Sequence, residues 1–360
     1  MDVAFKAGTV KEILFESEQR QDIVIVTDSG SARAINLLEL TGPCQVGDTV
    51  TINTTAVDLN LGTGGWHFVM AVYGRSVSLH GSGHIMKVRY TPVQGRVHSV
   101  EEEDSPYHHV FQGDYTLEGM PAAVGTLHSM LAPFAFAFRH CCPDKRLIYL
   151  MSDGAALPLS LSKIVPILKE RGLIDEVVTF GHAFGGDREA VNIFSALLAA
   201  RHVCRGDAAV VLMGPGVVGT STKWGTTALE QGYYLNAVQA LKGVPVALVR
   251  MSEADKRPRH FGISHHTMTV LQDLAHPGCV VPLPERLAER DDCLSVVKER
   301  HNLVFVNTEE LFSTMLESGL ELSTMGRTPH EDALFFHAAL AGGCVAAHYA
   351  KQRGNHESRS

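Results

Sequence analysis

Two rhythms of apolar spacing divide the chain. Up to about Met86, short β-rich runs alternate with turns. Ile23-Val24-Ile25-Val26-Thr27 runs into the Asp28-Ser29-Gly30 turn, and Asp48-Thr49-Val50-Thr51-Ile52 follows. Short strands at close spacing, separated by turn signals, predict a small antiparallel barrel or sandwich. Gly62-Thr63-Gly64-Gly65 ahead of Trp66-His67-Phe68-Val69-Met70 fits a tight turn between its strands, with a ligand loop as the alternative. From Lys145 the rhythm becomes strand, loop, helix, repeated. The predicted strands are 147–151, 177–180, 208–213, 246–250, 279–282 and 303–306.

Helical segments fall between these strands. Val191, Phe194, Leu197 and Leu198 are spaced to form one apolar face, with Asp187 placed as N-cap. Thr227-x-x-Glu230 reads as a capping box that starts a helix near Ala228. Thr328-Pro329-His330-Glu331 does the same for the last helix, with Pro at its first position. Alternating strands and helices imply right-handed crossovers and a parallel sheet covered on both faces. The expectation is therefore an α/β chain: a doubly wound, mostly parallel sheet of about six strands behind a small N-terminal β-barrel. In residues, that is a barrel-like domain over 1–90, a connecting segment with a buried helix over 91–144, a Rossmann-like domain over 145–351 and a polar tail over 352–360. The acidic run Glu101-Glu102-Glu103-Asp104, followed by Ser105-Pro106, reads as a solvated connection.

Composition narrows the classes. With 45% hydrophobic and 19% charged residues, the chain is globular and can build a sizeable core. A net charge of −8 without a long basic run argues against nucleic acid, whose binding depends on clustered Lys and Arg. The seven cysteines include no Cys-x-x-Cys and read as reduced cytosolic thiols. The first residues show no secretory signal. The most apolar segment, 121–138, contains His128, Ser129 and Pro133, so a buried helix fits better than a membrane span of about 20 apolar residues. A cytoplasmic protein is expected, with no membrane partner and a possible homo-oligomer.

In an open parallel sheet, ligands bind beyond the carboxyl ends of the strands. Here four successive predicted strands end in long loops, expected to open on one edge. They contain Ser152-Asp153-Gly154, Gly181-His182-Ala183-Phe184-Gly185-Gly186-Asp187, the glycine-rich stretch from Gly214 to Gly225, and the basic stretch from Ser252 to His266. Gly214-x-Gly216-x-x-Gly219 matches the dinucleotide fingerprint, but it lacks the immediate helix and an acid about 20 residues on, which disfavours a standard NAD site. As a phosphate loop, it has Thr220 where the lysine belongs. What remains is an anion cradle of Gly214, Gly216, Gly219, Thr220, Ser221 and Thr222, assisted by Asp187 and by Arg257 or Arg259 as a bidentate clamp.

His182 and one of His265 or His266 are the candidate acid–base groups, since imidazole titrates near pH 6.5. Asp153 or Asp187 would orient them, or hold a divalent metal with them; no close ligand spacing settles the metal, and the cofactor stays open. Ser264 fits an N-cap ahead of the two histidines, which would point about 100° apart, so one is expected to face the site. Ser152 could be a nucleophile with His182 as its base. His128 and Arg327 are secondary candidates near helix starts.

The phrases Gly-His-Ala-Phe-Gly-Gly-Asp (181–187), Gly-Pro-Gly-Val-Val-Gly-Thr (214–220) and Arg-His-Phe-Gly-Ile-Ser-His-His-Thr (259–267) resemble an uncharacterised bacterial family, domain of unknown function 3866. Asn53-Thr54-Thr55-Ala56-Val57 and Gly62-Thr63-Gly64-Gly65-Trp66-His67-Phe68 fit it too, with Ser221 and Trp224 departing from its pattern. The resemblance implies a bacterial, cytoplasmic protein and supplies no activity. The functional expectation thus rests on the loops alone. It is an enzyme acting on a small anionic molecule, phosphorylated or nucleotide-like, at the carboxyl edge of the sheet. The alternative is a non-catalytic metabolite sensor or assembly module.

Overall fold

Alternation along Ile23-Val24-Ile25-Val26 puts Ile23 and Ile25 in a core while Val26 faces solvent, the period-2 signature of a half-buried strand. That strand is one of five: β1 (Phe5–Glu16), β2 (Arg20–Thr27), β3 (Gly30–Leu37), β4 (Thr49–Asn53) and β5 (Trp66–Val72). They close into a barrel in the order β1-β2-β3-β5-β4. β4 pairs back onto β1, so no edge is left open. β3 and β5 run parallel. Val10, Ile23, Ile25, Val50 and Ile52 fill the interior. A hairpin of β6 (Ile85–Lys87) and β7 (Gly95–Val97) follows. The computed structural model describes residues 3–288 and 294–357, and the chain divides into two units, Met1–His98 and Ser99–Ser360.

The second unit carries an eight-stranded sheet. Its members are β8 (Pro121–Val124), β9 (Leu147–Ser152), β10 (Glu176–Phe180), β11 (Arg188–Ala190), β12 (Ala208–Met213) and β13 (Val244–Ala247). After a small ribbon of β14 (Met251–Ser252) and β15 (Gly262–Ile263) come β16 (Val280–Pro284) and β17 (Asn302–Val306). The order is β11-β10-β9-β12-β8-β13-β16-β17, with all pairings parallel. Central strands are apolar on both sides because both faces are covered. In β12, Ala209 and Val211 pack under the helices Ile193–Leu198 and Glu230–Ala240. Ala208, Val210 and Leu212 pack under Leu131–Cys141 and the long helix Ala333–Glu357. That last helix is apolar enough to cross a membrane by composition, yet 78% of its apolar window is buried within the unit, as in a core helix.

The α/β sheet and the N-terminal barrel match the sequence expectation, and each predicted strand of the sheet is present. Two further strands were hidden. β8 is only four residues long and opens on Pro121, and β11 follows β10 after a seven-residue loop without a crossover helix. β8 lies between β12 and β13, so residues 121–124 of the expected connecting segment stand at the sheet's centre.

Other local expectations change as well. The acidic turn is not a solvated link: Glu102 is buried and accepts the Ser99 amide at 2.7 Å, and Glu101 accepts the Val191 amide at 2.8 Å. Asn192, not Asp187, caps the helix Ile193–Leu198. Ile193, Ala196 and Leu197 face the core there, while Val191 and Phe194 are exposed. Of the Thr328–Glu331 box only half forms: Glu331 accepts the Thr328 amide and hydroxyl, while its own amide goes to the Thr328 carbonyl in a turn, and the helix begins at Ala333. Thr226 caps the turn ahead of Glu230, one residue before the expected Thr227.

Candidate functional site

Neighbouring strands at the middle of the sheet send their chains to opposite faces. β8 and β9 lead into Leu131–Cys141 and Ile164–Glu170 on one face. β12 and β13 lead into Glu230–Ala240 and His265–Thr269 on the other. With the order β9-β12-β8-β13, each adjacent pair diverges, which opens a crevice beyond the carboxyl ends. A cavity of about 650 Å³ occupies it, within the size range of small-molecule sites. Its walls come from the loops after all four strands and from 321–325 ahead of the last helix.

The loop after β13 supplies Arg250, Arg257, Arg259, His260 and His266 to the cavity. The buried Asp255 carboxylate holds Arg257 through two hydrogen bonds, Nε to Oδ1 at 2.9 Å and Nη2 to Oδ2 at 2.6 Å. Those bonds keep its own acid well below the usual range. Arg250 lies 3.7 Å from the same carboxylate, and burial, with Arg257 next, pushes its pKa down to about 10. Nearby, the buried Asp332 takes Arg327 at 2.9 Å. Arg259 has no acidic partner among the described residues, and its buried Nε has no hydrogen bond. Three arginines and Lys163 line the cavity against one lining carboxylate, Glu321, which leaves its wall positive.

Three imidazoles cluster beside these cations in tilted and edge-on pairs, with ring centroids 4.1 to 5.1 Å apart. Ser264 caps the helix by accepting the His266 amide, as expected, and its hydroxyl also meets His260 Nδ1 at 2.8 Å. Burial, reinforced by the arginines, lowers the pKa of His260 to about 3 and of His266 to about 4, and lowers that of His265. At neutral pH the three rings are therefore uncharged. His265 Nε2 and His266 Nδ1 are buried without partners. The donor atoms of His260, His265 and His266 lie within 4.8 Å of one another, a set that suits a divalent transition metal. The positive surroundings that suppress protonation also oppose a bare dication, so a metal here would need an anion beside it.

In the glycine loop the threonine hydroxyls turn onto the loop itself. Thr220 and Thr222 bond each other, at 3.0 Å, and the Gly225 backbone. Gly219 pairs with Thr226, folding the loop on itself. Gly214 serves packing, since a Cβ there would sit 2.3 Å from the Ala156 carbonyl. Gly216, at φ +101°, needs glycine for its turn. Gly216, Gly219 and Ser221 still line the cavity, and Gly219 approaches the His266 ring.

Asp153, His182 and Asp187 lie elsewhere on the edge. Asp153 accepts the His182 amide at 2.7 Å. Asp187 pairs with Lys169 at 2.5 Å and accepts the Val177 amide at 2.8 Å, a structural tie between strand and helix. The Ser152 hydroxyl turns to Glu230 at 3.4 Å; burial raises the pKa of that carboxyl, which also takes the Tyr234 hydroxyl at 2.9 Å. A different serine and histidine meet at the cavity wall: His128 Nε2 lies 2.7 Å from Ser162 Oγ, and its Nδ1 lies 3.2 Å from the Tyr149 hydroxyl. Sequence reasoning passed over Ser162 and Arg250. Arg250 ends a predicted strand, but nothing in the sequence pairs Ser162 with His128.

A search of curated proteins returns no match to the chain. The model of one family, described as "Protein of unknown function (DUF3866)", matches residues 33–343. That span takes in the barrel from within β3 onward, the whole central sheet and every wall of the cavity, so the chain belongs to the DUF3866 family.

Proposed function

We propose that the protein is an enzyme acting on a small anionic molecule, phosphorylated or nucleotide-like, held in the cavity at the carboxyl edge of the sheet. One observation carries this reading: Arg259, buried at Nε and without a counter-ion among the described residues, beside Arg250 and Arg257 on the cavity wall. A buried guanidinium nitrogen without an acceptor is a group that a ligand oxygen would satisfy. The uncharged His260 and His266 rings offer further N–H donors, or lone pairs for a proton or a metal. Arg257, pre-set by Asp255, presents its remaining edge in fixed geometry. The free thiols of the six described cysteines support a reducing, cytoplasmic setting.

The test is a thermal-shift screen with inorganic phosphate, sugar phosphates and nucleotides, each with and without zinc or manganese. A ligand at a hundredfold excess over its dissociation constant stabilises the fold by about 2.7 kcal/mol. Arg259→Ala is expected to fold normally and to lose that shift. A flat screen, or a shift that survives Arg259→Ala, overturns the reading. Consumption of the stabilising ligand separates an enzyme from a sensor.

A further inference from the structure

On the wall of the same cavity, the loops after β8 and β9 bring His128 and Ser162 together. Their strands flank β12 and send their chains to the same face of the sheet, so both side chains reach the cavity wall from that side of the crevice. On the ring's other side Nδ1 lies 3.2 Å from the Tyr149 hydroxyl, which itself lies 3.5 Å from the Met213 carbonyl. The tautomer that serves catalysis carries its proton on Nδ1, donated to that hydroxyl. Nε2 then presents its lone pair to Ser162, 2.7 Å away. On the serine side, Oγ accepts the Val165 amide at 3.2 Å, which leaves its own hydrogen free to point at Nε2. This is the polarity a serine nucleophile needs: hydroxyl donating, imidazole accepting, the far nitrogen oriented by a third group. Ser152, the serine that its sequence context favoured, is bonded to a carboxylate instead.

We propose that Ser162 is a nucleophile and His128 its general base, and that the cavity hydrolyses a carbonyl ester of a small anionic molecule. The anionic part of that substrate rests on the reading of the arginine wall; the nucleophile does not. In the first step Ser162 Oγ forms a bond to the ester carbonyl carbon and its proton passes to His128 Nε2. The alcohol leaves by breaking the C–O bond and takes that proton. In the second step water, deprotonated at the same Nε2, cleaves the acyl-serine, releases the carboxylic acid and restores the hydroxyl. No oxidant or metal enters the balance. An uncharged carbonyl suits an attacking alkoxide better than a phosphate dianion, which repels it.

An uncharged alkyl fluorophosphonate tests the pair without a known substrate or any use of the arginines. Its reaction forms an Oγ–P bond, expels fluoride and sends the serine proton to His128. Intact-mass analysis of the full chain is expected to show one adduct, mapped to the peptide holding Ser162. Ser162→Ala should carry none. His128→Gln should label at least about a hundredfold more slowly, the scale of a lost general base, while melting as a folded protein. Burial holds His128 near a pKa of about 4, so labelling should stay level from pH 8 to about 5 and not halve near 6.5. The absence of an adduct on the folded chain, an adduct elsewhere, or undiminished labelling of His128→Gln overturns the proposal. Each of these outcomes is independent of the phosphate screen, so the anion site and the nucleophile fail separately.

Discussion

At Asp332 a single side chain ties the end of the chain to the loop that carries the arginines. Its carboxylate is 1% exposed and accepts the Ser252 hydroxyl at 2.7 Å, the Glu253 amide at 3.1 Å and Arg327 Nε at 2.9 Å. The carboxylate thereby holds Ser252, whose hydroxyl oxygen accepts the Asp255 amide at 2.9 Å, and Asp255 in turn fixes Arg257. Removing one member of a buried ion pair leaves the other charged and unpaired, at a cost of about 3–5 kcal/mol. Asp332→Ala is therefore expected to lower stability by that order in urea titration and to loosen the anion site at a distance. Equal stability of the variant and the parent would show that water replaces the carboxylate. None of this chain of contacts was legible in sequence. Thr328 to Glu331 advertised a helix start, while the residue that organises the region stands one place further on.

Helix contact explains a pair of glycines that composition alone would count against a helix. Gly342 and Gly343 lie inside Ala333–Glu357, where glycine costs about 1 kcal/mol relative to alanine. A Cβ on Gly343 would stand 2.3 Å from the Phe134 carbonyl and 2.7 Å from the Ala137 Cβ. The two helices thus meet backbone to backbone on the face under β8 and β12. Gly343→Ala should gain the propensity term and lose more to overpacking, about 1–3 kcal/mol before relaxation. A lowered melting temperature is the expected result; a raised one would mean the helices can part. At this scale the sequence was legible where periodicity is long. Each expected strand of the sheet appears, because a buried parallel strand reads as a continuous apolar run. β8 and β11 were not legible, being too short to show a period, and Asn192 outcompeted Asp187 as cap because the chain first needs three residues for β11. For the site, the loops were readable as loops. Which side chains they turn inward was not: Arg257, Arg259 and His266 reach the cavity, while the Thr220 and Thr222 hydroxyls fold back on their own hairpin.

For the whole molecule, the cost of keeping four imidazoles at or beside the cavity uncharged appears as sensitivity to acid. His128 and His266 are held near a pKa of about 4 and His260 near about 3, with His265 lowered as well, burial being the first cause in each. Arg250, Arg257 and Arg259 add repulsion around the cluster of three, and Asp255 opposes it at His260. The unfolded chain takes up these protons near pH 6.5, whereas the folded chain resists them until well below. Between those values the unfolded state binds more protons, so stability is fully present above about pH 6.5 and falls as pH drops toward 4. Each such group contributes a slope of at most about 1.4 kcal/mol per pH unit. Asp255, whose acid is also depressed by Arg257, works in the same direction at lower pH. Urea midpoints measured at pH 7.5, 6.0 and 5.0 should decline progressively. An anion in the cavity should blunt that decline, because it offsets the arginine charge and favours protonation of His260, His265 and His266 in the folded state. His128, which has only burial against it, should keep its share of the slope in the presence of phosphate. A midpoint that does not move between pH 7.5 and 5.0 would mean that the imidazoles are already paired with charge in the folded chain, and the positive corner of the cavity would lose its physical basis.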